Sequence, residues 1–165
     1  MILSRNVEVE VKAKLTSKND RYSSFAAHDG DLGRWPRVVG VASQVLGGHH
    51  VVSAAVSLKD ETDRVNQAKE IVRVFRQSRF PTILAGDLNS EPNSNPMNII
   101  EAVFKATYDK SNPEYTFPSD DPIKKIDYIL YYPENRWKVK SKKVICDLVA
   151  SDHCVYVVEL ELVGL

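Results

Sequence analysis

Cysteine is scarce in this chain: Cys146 and Cys154 are the only 2. That is too few for a disulfide scaffold, and their spacing is not the CxxC of a metal or redox motif. The thiols therefore assign no compartment. An excess of one charge is also missing, with 22 Lys and Arg against 22 Asp and Glu. A net charge of zero gives no strong electrostatic grip on nucleic acid, which leaves only a local basic patch as a route to it. No apolar run approaches the roughly 20 residues needed to cross a bilayer. The opening MILSRNVEVE has no succession of basic, apolar and small-residue zones, so no signal peptide is visible and a soluble chain is expected. Repeats and low-complexity tracts are absent too. What remains is ordinary for a globular protein: 43% hydrophobic and 27% charged residues in a chain of 165. One domain over 1–165 is expected, large enough to bury a core.

Apolar and polar residues alternate from Val7 to Leu15, predicting a half-buried strand. Residues 16–35 read as a polar loop, with Gly30, Gly33 and Pro36 as breakers. Arg37–Leu46 and His49–Val56 read as two strands. Gly47-Gly48 between them suits a two-residue hairpin turn. His49-His50 then reads as the start of a strand in preference to a metal site. Val65, Ala68, Val72 and Phe75 share one helical face, with Asp60 or Thr62 as cap. A strand is expected over 80–85, then a second helix capped by Ser94 with Pro96 in its first turn and Met97, Ile100 and Phe104 buried. KKIDYILYY, Trp137–Ile145 and His153–Val163 read as three further strands. The order predicts an α/β or α+β sheet layered with helices.

Four short pieces place polar groups at the ends of apolar strands or inside them. Gly86-Asp87-Leu88-Asn89 ends a strand, and residues two apart on a strand face the same way. Gly, Asp and Asn also form ordinary turns, so a turn and a site are both open there. Asp127 lies within the apolar run IDYIL, where an unpaired carboxylate is costly and needs a partner or a metal. Ser151-Asp152-His153 opens the last strand, and Thr116–Asp120 forms a loop before the second piece. Asp87, Asn89 and Asp152 are oxygen ligands or orienting groups of the kind Mg²⁺ takes. Asp127 and His153 could pair, the carboxylate fixing the imidazole tautomer. Cys154 follows His153, but strand alternation points it away, into the core.

GDLNSEP, KKIDYIL and SDHCVYVVEL, in that order, resemble the last three motifs of the endonuclease/exonuclease/phosphatase superfamily, the deoxyribonuclease I-like metal-dependent phosphoesterases. DRVNQAKEI is similar to the family's R-x-x-Q helix through Arg64 and Gln67. The stretch TFPSDDPIKKIDYIL resembles bacterial members with small phosphoester substrates. The resemblance covers roughly residues 36–163, with Ile2–Arg5 as a further match. It implies a half or truncated version of a four-layer α/β sandwich with a mainly antiparallel sheet. It also implies hydrolysis of a phosphodiester or phosphomonoester with Mg²⁺ or Mn²⁺. Asp87 and Asn89 would contact the phosphate or the attacking water, and Asp152 would bind the cation. His153 would be the acid/base or phosphate-stabilising group, oriented by Asp127.

The departures define the competing expectations. The family's N-terminal half carries an Asn and a metal-binding Glu, and this chain has no matching half. Where the family has Asn-Thr-His-Leu, this chain has Ser53-Ala54-Ala55-Val56. Ala55 can neither bond a phosphate nor accept a proton. The chain then reads as a truncated or impaired phosphoesterase. The alternative is a degenerate, non-catalytic module that binds a phosphate ligand or another protein, with a homodimer through the exposed sheet face.

Overall fold

The structure, a computed structural model, describes residues 7–12, 39–46, 49–55 and 60–163, with side chains from 60 to 163. Its strands are β1 (Val7–Lys12), β2 (Val39–Leu46), β3 (His49–Ala55), β4 (Thr82–Asp87), β5 (Lys105–Ala106), β6 (Asp127–Tyr132), β7 (Trp137–Ile145) and β8 (Val155–Leu162). Helix α1 spans Glu61–Phe75 and α2 spans Asn95–Glu101. One sheet has the order β2-β3-β4-β6-β5 and the other the order β1-β8-β7. The β1–β8 and β3–β4 pairs are parallel, and the remaining pairs are antiparallel. This is an α+β fold.

Burial explains the layering. In β8, Tyr156, Val158 and Leu160 are buried and alternate with partly exposed neighbours. That is the period-two pattern of a strand with one covered face. Strands β4 and β6 are instead buried at five consecutive positions, as strands covered on both faces must be. The core that covers them draws on both sheets and both helices: Ile83, Leu84, Ile129 and Leu130 share it with Val158 and Leu160, with Ala68 and Ile71 of α1, and with Met97 and Ile100 of α2. Contacts of β6 with β8 and of β1 with β4 hold the two sheets together.

Helix α1 starts where the sequence predicts. Asp60 is its cap, and its carboxylate accepts the Asp63 N–H at 2.8 Å. At α2, Ser94 occupies the cap position, but its hydroxyl donates to the Glu91 carbonyl at 2.7 Å instead of capping the helix. Met97, Ile100 and Phe104 are buried as predicted.

Three boundaries differ from the sequence reading, and each moves a site residue. Strand β4 begins at Thr82 and runs to Asp87, because Pro81 has no N–H to enter a ladder. Asp87 is therefore the last strand residue and pairs directly across from Asp127. Asp127 opens β6 instead of lying mid-strand, yet it is fully buried. Strand β8 begins only at Val155, so Asp152 and His153 sit in the bend before it. The two-residue strand β5, which pairs with β6, has no signal in the sequence because it is too short to show a period. The register sets Leu46 opposite His49. Gly47-Gly48, the loop at 16–35 and Ile2–Arg5 lie outside the described residues. No helix among the described residues is long and apolar enough to cross a membrane.

Candidate active site

The site forms where β4 and β6 end side by side. Their antiparallel register brings Asp87 and Asp127 opposite each other. The ladder continues one step beyond the strand, with Leu88 N–H donating to the Ile126 carbonyl at 2.9 Å. The chain then turns sharply. Gly86 has φ 147° and Asn89 has φ 45°, and Asn is among the few side-chain-bearing residues that tolerate the left-handed region. This turn brings Asn89 back onto Asp87: its backbone N–H donates to Asp87 Oδ1 at 2.8 Å and its Nδ2 donates to Oδ2 at 3.1 Å. Asn89 therefore meets Asp87 through a turn, not by the strand alternation expected from the sequence. The turn and the site are one structure.

His153 arrives from the bend before β8. Its Nδ1 lies 2.9 Å from Asp127 Oδ2. The bend is stitched to the loop at Thr116–Ser119. Ser119 N–H donates to the Asp152 carbonyl at 2.8 Å, and Ser119 Oγ donates to the Ser151 carbonyl at 2.7 Å. Cys154 N–H donates to the Thr116 carbonyl at 2.7 Å. Thr116 Oγ1 in turn accepts from the backbone N–H groups of Ile126 and Asp127, both at 3.3 Å. The Phe117 ring packs against the imidazole at 4.7 Å between centroids. One loop thus holds both partners of the Asp127–His153 pair.

Cys154 is fully buried, as the sequence suggests, but it is bonded to Cys146 and is not simply packed. Spacing does not reveal this bond. It depends on β7 and β8 lying antiparallel, which brings the two Cα atoms to 4.2 Å.

The electrostatics follow from this packing. Burial pushes the Asp87 carboxyl up to about 6. The Asn89 backbone N–H opposes the rise, the Asp127 charge adds to it, and His153 opposes it. The hydrogen bond to Asp127 raises His153 above the usual imidazole range, against a smaller desolvation effect. Negative charge on Asp127, Asp87 and Asp152 acts in the same direction.

Asp87, Asp127 and His153 each present a ligand atom within 4.8 Å of the others. The donor set fits a small hard cation in one respect beyond proximity. Asp127 Oδ1 is buried and has no hydrogen-bond partner among the described residues, a position that a cation or its water could satisfy. Asp152 is exposed and lines the same cleft, outside that tight group.

The cleft has a volume of about 530 Å³. Asp87, Asn89, Asp152 and His153 line it together with Phe117 and Arg64. All five residues singled out from the sequence therefore meet in one place, with Asp127 behind His153. Lys125 was not anticipated. It is fully buried, with Nζ 3.2 Å from the centroid of the Tyr156 ring. Its position two residues before Asp127 was the available signal, since such residues share a side of an extended chain.

A family model described as the Endonuclease/Exonuclease/phosphatase family matches residues 16–153. The chain belongs to that family. Solved structures carry the same fold. An endonuclease/exonuclease/phosphatase from Bacteroides vulgatus is 23% identical with a TM-score of 0.60, the match covering 74% of this chain and 54% of that one. A functionally unknown conserved protein from Enterococcus faecalis V583 is 20% identical with a TM-score of 0.59, covering 70% and 50%. A mannosyl-6-phosphatase from Bacteroides thetaiotaomicron is 18% identical with a TM-score of 0.51, covering 68% and 51%. The chain thus spans about half the length of the structures it resembles. No curated protein matches it by sequence.

Proposed function

We propose that this chain carries the acid–base half of a divalent-metal phosphoesterase site acting on a phosphate monoester or diester. The observation that carries the reading is the buried Asp127 bonded to His153 at 2.9 Å, in a cleft that also presents Asp87 and Asn89. Asp127 accepts from Nδ1, which leaves Nε2 to handle the proton. In the neutral ring Nε2 can take a proton from the attacking water. In the charged ring it can donate to a phosphoryl or leaving oxygen. Asn89 holds Asp87 in place by two hydrogen bonds, so the carboxylate faces the phosphate or its water without rotating away. The Phe117 ring packs against the imidazole at a tilt of 50°.

Mg²⁺ or Mn²⁺ would be held by Asp87 and Asp127, with Asp152 at the edge of the cleft as a further oxygen donor. Such a cation would neutralise phosphate charge and the developing charge on the leaving oxygen. The mannosyl-6-phosphatase neighbour is one protein of this fold that acts on a small phosphate ester. The neutral net charge of this chain agrees with a small substrate better than with long nucleic acid. The test is Mg²⁺- or Mn²⁺-dependent cleavage of an activated phosphodiester by the pure chain. No turnover above that of the Asp87→Ala, His153→Ala double variant would remove the reading.

A second reading is favoured by one observation. The stretch Ser53-Ala54-Ala55-Val56 stands where the family has Asn-Thr-His-Leu, so Ala55, the last residue of β3, takes the place of the histidine. A module that binds phosphate without hydrolysing it, alone or paired with a second copy, fits that loss. It predicts phosphate binding with no turnover in metal. Sedimentation that shows only monomer would remove the paired version.

A further inference from the structure

Two polar groups in the wall of the cleft take no part in the Asp127–His153 pair. Arg64 lies in the first turn of α1, and its Nε is buried without a hydrogen-bond partner among the described residues. Ser90 follows Asn89, and its hydroxyl is in the same state. Ser90 is 5% exposed. Both residues line the cleft that holds Asp87 and His153. Native structures rarely leave buried donors unbonded, and those that remain call for a missing acceptor.

The backbone around both groups is fixed. The Ser90 carbonyl accepts from the Tyr128 hydroxyl at 2.6 Å, so the serine cannot swing its side chain out by moving the chain. Arg64 N–H makes the first helical bond of α1, to the Asp60 carbonyl at 3.2 Å. Glu61 of the same helix also lines the cleft. Its Oε1 is engaged by Asn95 Nδ2 at 2.9 Å. A guanidinium and a hydroxyl together supply several donors and one positive charge. An anion with several acceptor oxygens on one centre, such as a phosphoryl group, matches that set in donor number and charge.

We propose that Arg64 and Ser90 form the phosphate-recognition wall of the cleft, binding the non-bridging oxygens of a phosphate ester. The inference rests on the phosphoester reading for its substrate class, but it concerns binding and not proton transfer. Both are binding residues, and their loss raises KM more than it lowers kcat.

The test uses the full chain with inorganic phosphate as probe, by calorimetry and by NMR of the Arg64 Nε–Hε resonance. In the unmutated protein that resonance shifts as phosphate is added. Arg64→Ala weakens phosphate binding about ten- to a hundredfold, as expected for loss of a charge-assisted contact, and Ser90→Ala weakens it several-fold. Arg64→Lys retains part of the affinity. Arg73→Ala, on an exposed face of the same helix and paired with Glu70, leaves it unchanged. An unmoved Arg64 resonance at saturating phosphate overturns the proposal, as does equal affinity in Arg64→Ala. Phosphate binding that depends on Arg64, without ester cleavage in Mg²⁺ or Mn²⁺, supports the proposal and removes the hydrolytic reading. Cleavage with an unchanged KM in both variants does the reverse.

Discussion

At the scale of single residues, Asp127 is the most constrained group in the site. It is fully buried, it holds His153, and one of its oxygens has no hydrogen-bond partner among the described residues. Asp127→Asn removes the charge that raises His153 and keeps the shape. The imidazole titration midpoint, followed by NMR, should fall, and phosphoester turnover should drop by about a hundredfold or more. An unmoved midpoint would contradict the role given to Asp127. Lys125 sets a different expectation. Burial pushes its ammonium down to about 7, with Glu114 and Asp127 opposing the fall and Lys142 adding to it. Tyr108, Tyr128 and Tyr156 surround it. The folded protein releases this proton near pH 7, while the unfolded chain keeps it to about pH 10.4. The stabilising contribution is therefore complete only above the unfolded value and is lost as pH falls towards 7. Denaturant unfolding should show stability rising by about 1.4 kcal/mol per pH unit between roughly pH 7.5 and 9.5 from this group. Lys125→Met should flatten that slope. Above this window the tyrosines, whose hydroxyls burial pushes upward, act in the opposite sense.

At the scale of elements, the bend carrying Asp152 and His153 is held at both ends. Cys146 and Cys154 close it covalently, and the loop at Thr116–Ser119 holds it by hydrogen bonds. Cys146 is exposed, so a reductant can reach the bond. Closing so short a loop is worth about 2.5 kcal/mol on the chain-entropy account. Reduction, or Cys146→Ser, should lower unfolding stability by about that amount and raise amide exchange at 147–153. Unchanged exchange there would mean that the hydrogen bonds alone fix His153. Helix α1 gives a smaller effect. Asp60→Ala removes the bond to Asp63 N–H and should cost about 1 kcal/mol in thermal or denaturant unfolding, because that donor then has only water. Much of this level was legible in the sequence. The α1 cap, the α2 face and the ends of β7 follow from period and capping rules. Strand β4 was placed two residues early because an apolar count does not register that Pro81 cannot join a ladder.

At the scale of the whole molecule, the proposed cation site draws on segments leading to both sheets. Asp87 and Asp127 come from the five-stranded sheet, and His153 comes from the bend that leads into β8, the central strand of the three-stranded one. If the group binds a cation, Mn²⁺ or Mg²⁺ should raise the unfolding midpoint, EDTA should reverse the gain, and Asp87→Asn should abolish it. An unaltered midpoint at millimolar metal would count against that group as the site. The sequence by itself determined the local elements, because hydrophobic period, proline and caps act within a few residues. It also pointed to the family, and it put forward Asp87, Asn89, Asp127, Asp152 and His153 as candidate site residues, because they lie in three short motifs in a fixed order. Only the tertiary structure decided that Asp87 ends a strand opposite Asp127, that the bend before β8 is closed by a disulfide, and that Arg64, Ser90 and Lys125 each carry a buried polar atom with no hydrogen-bond partner among the described residues. Each of these depends on segments far apart in the chain packing against one another, and neither spacing nor composition contains that information.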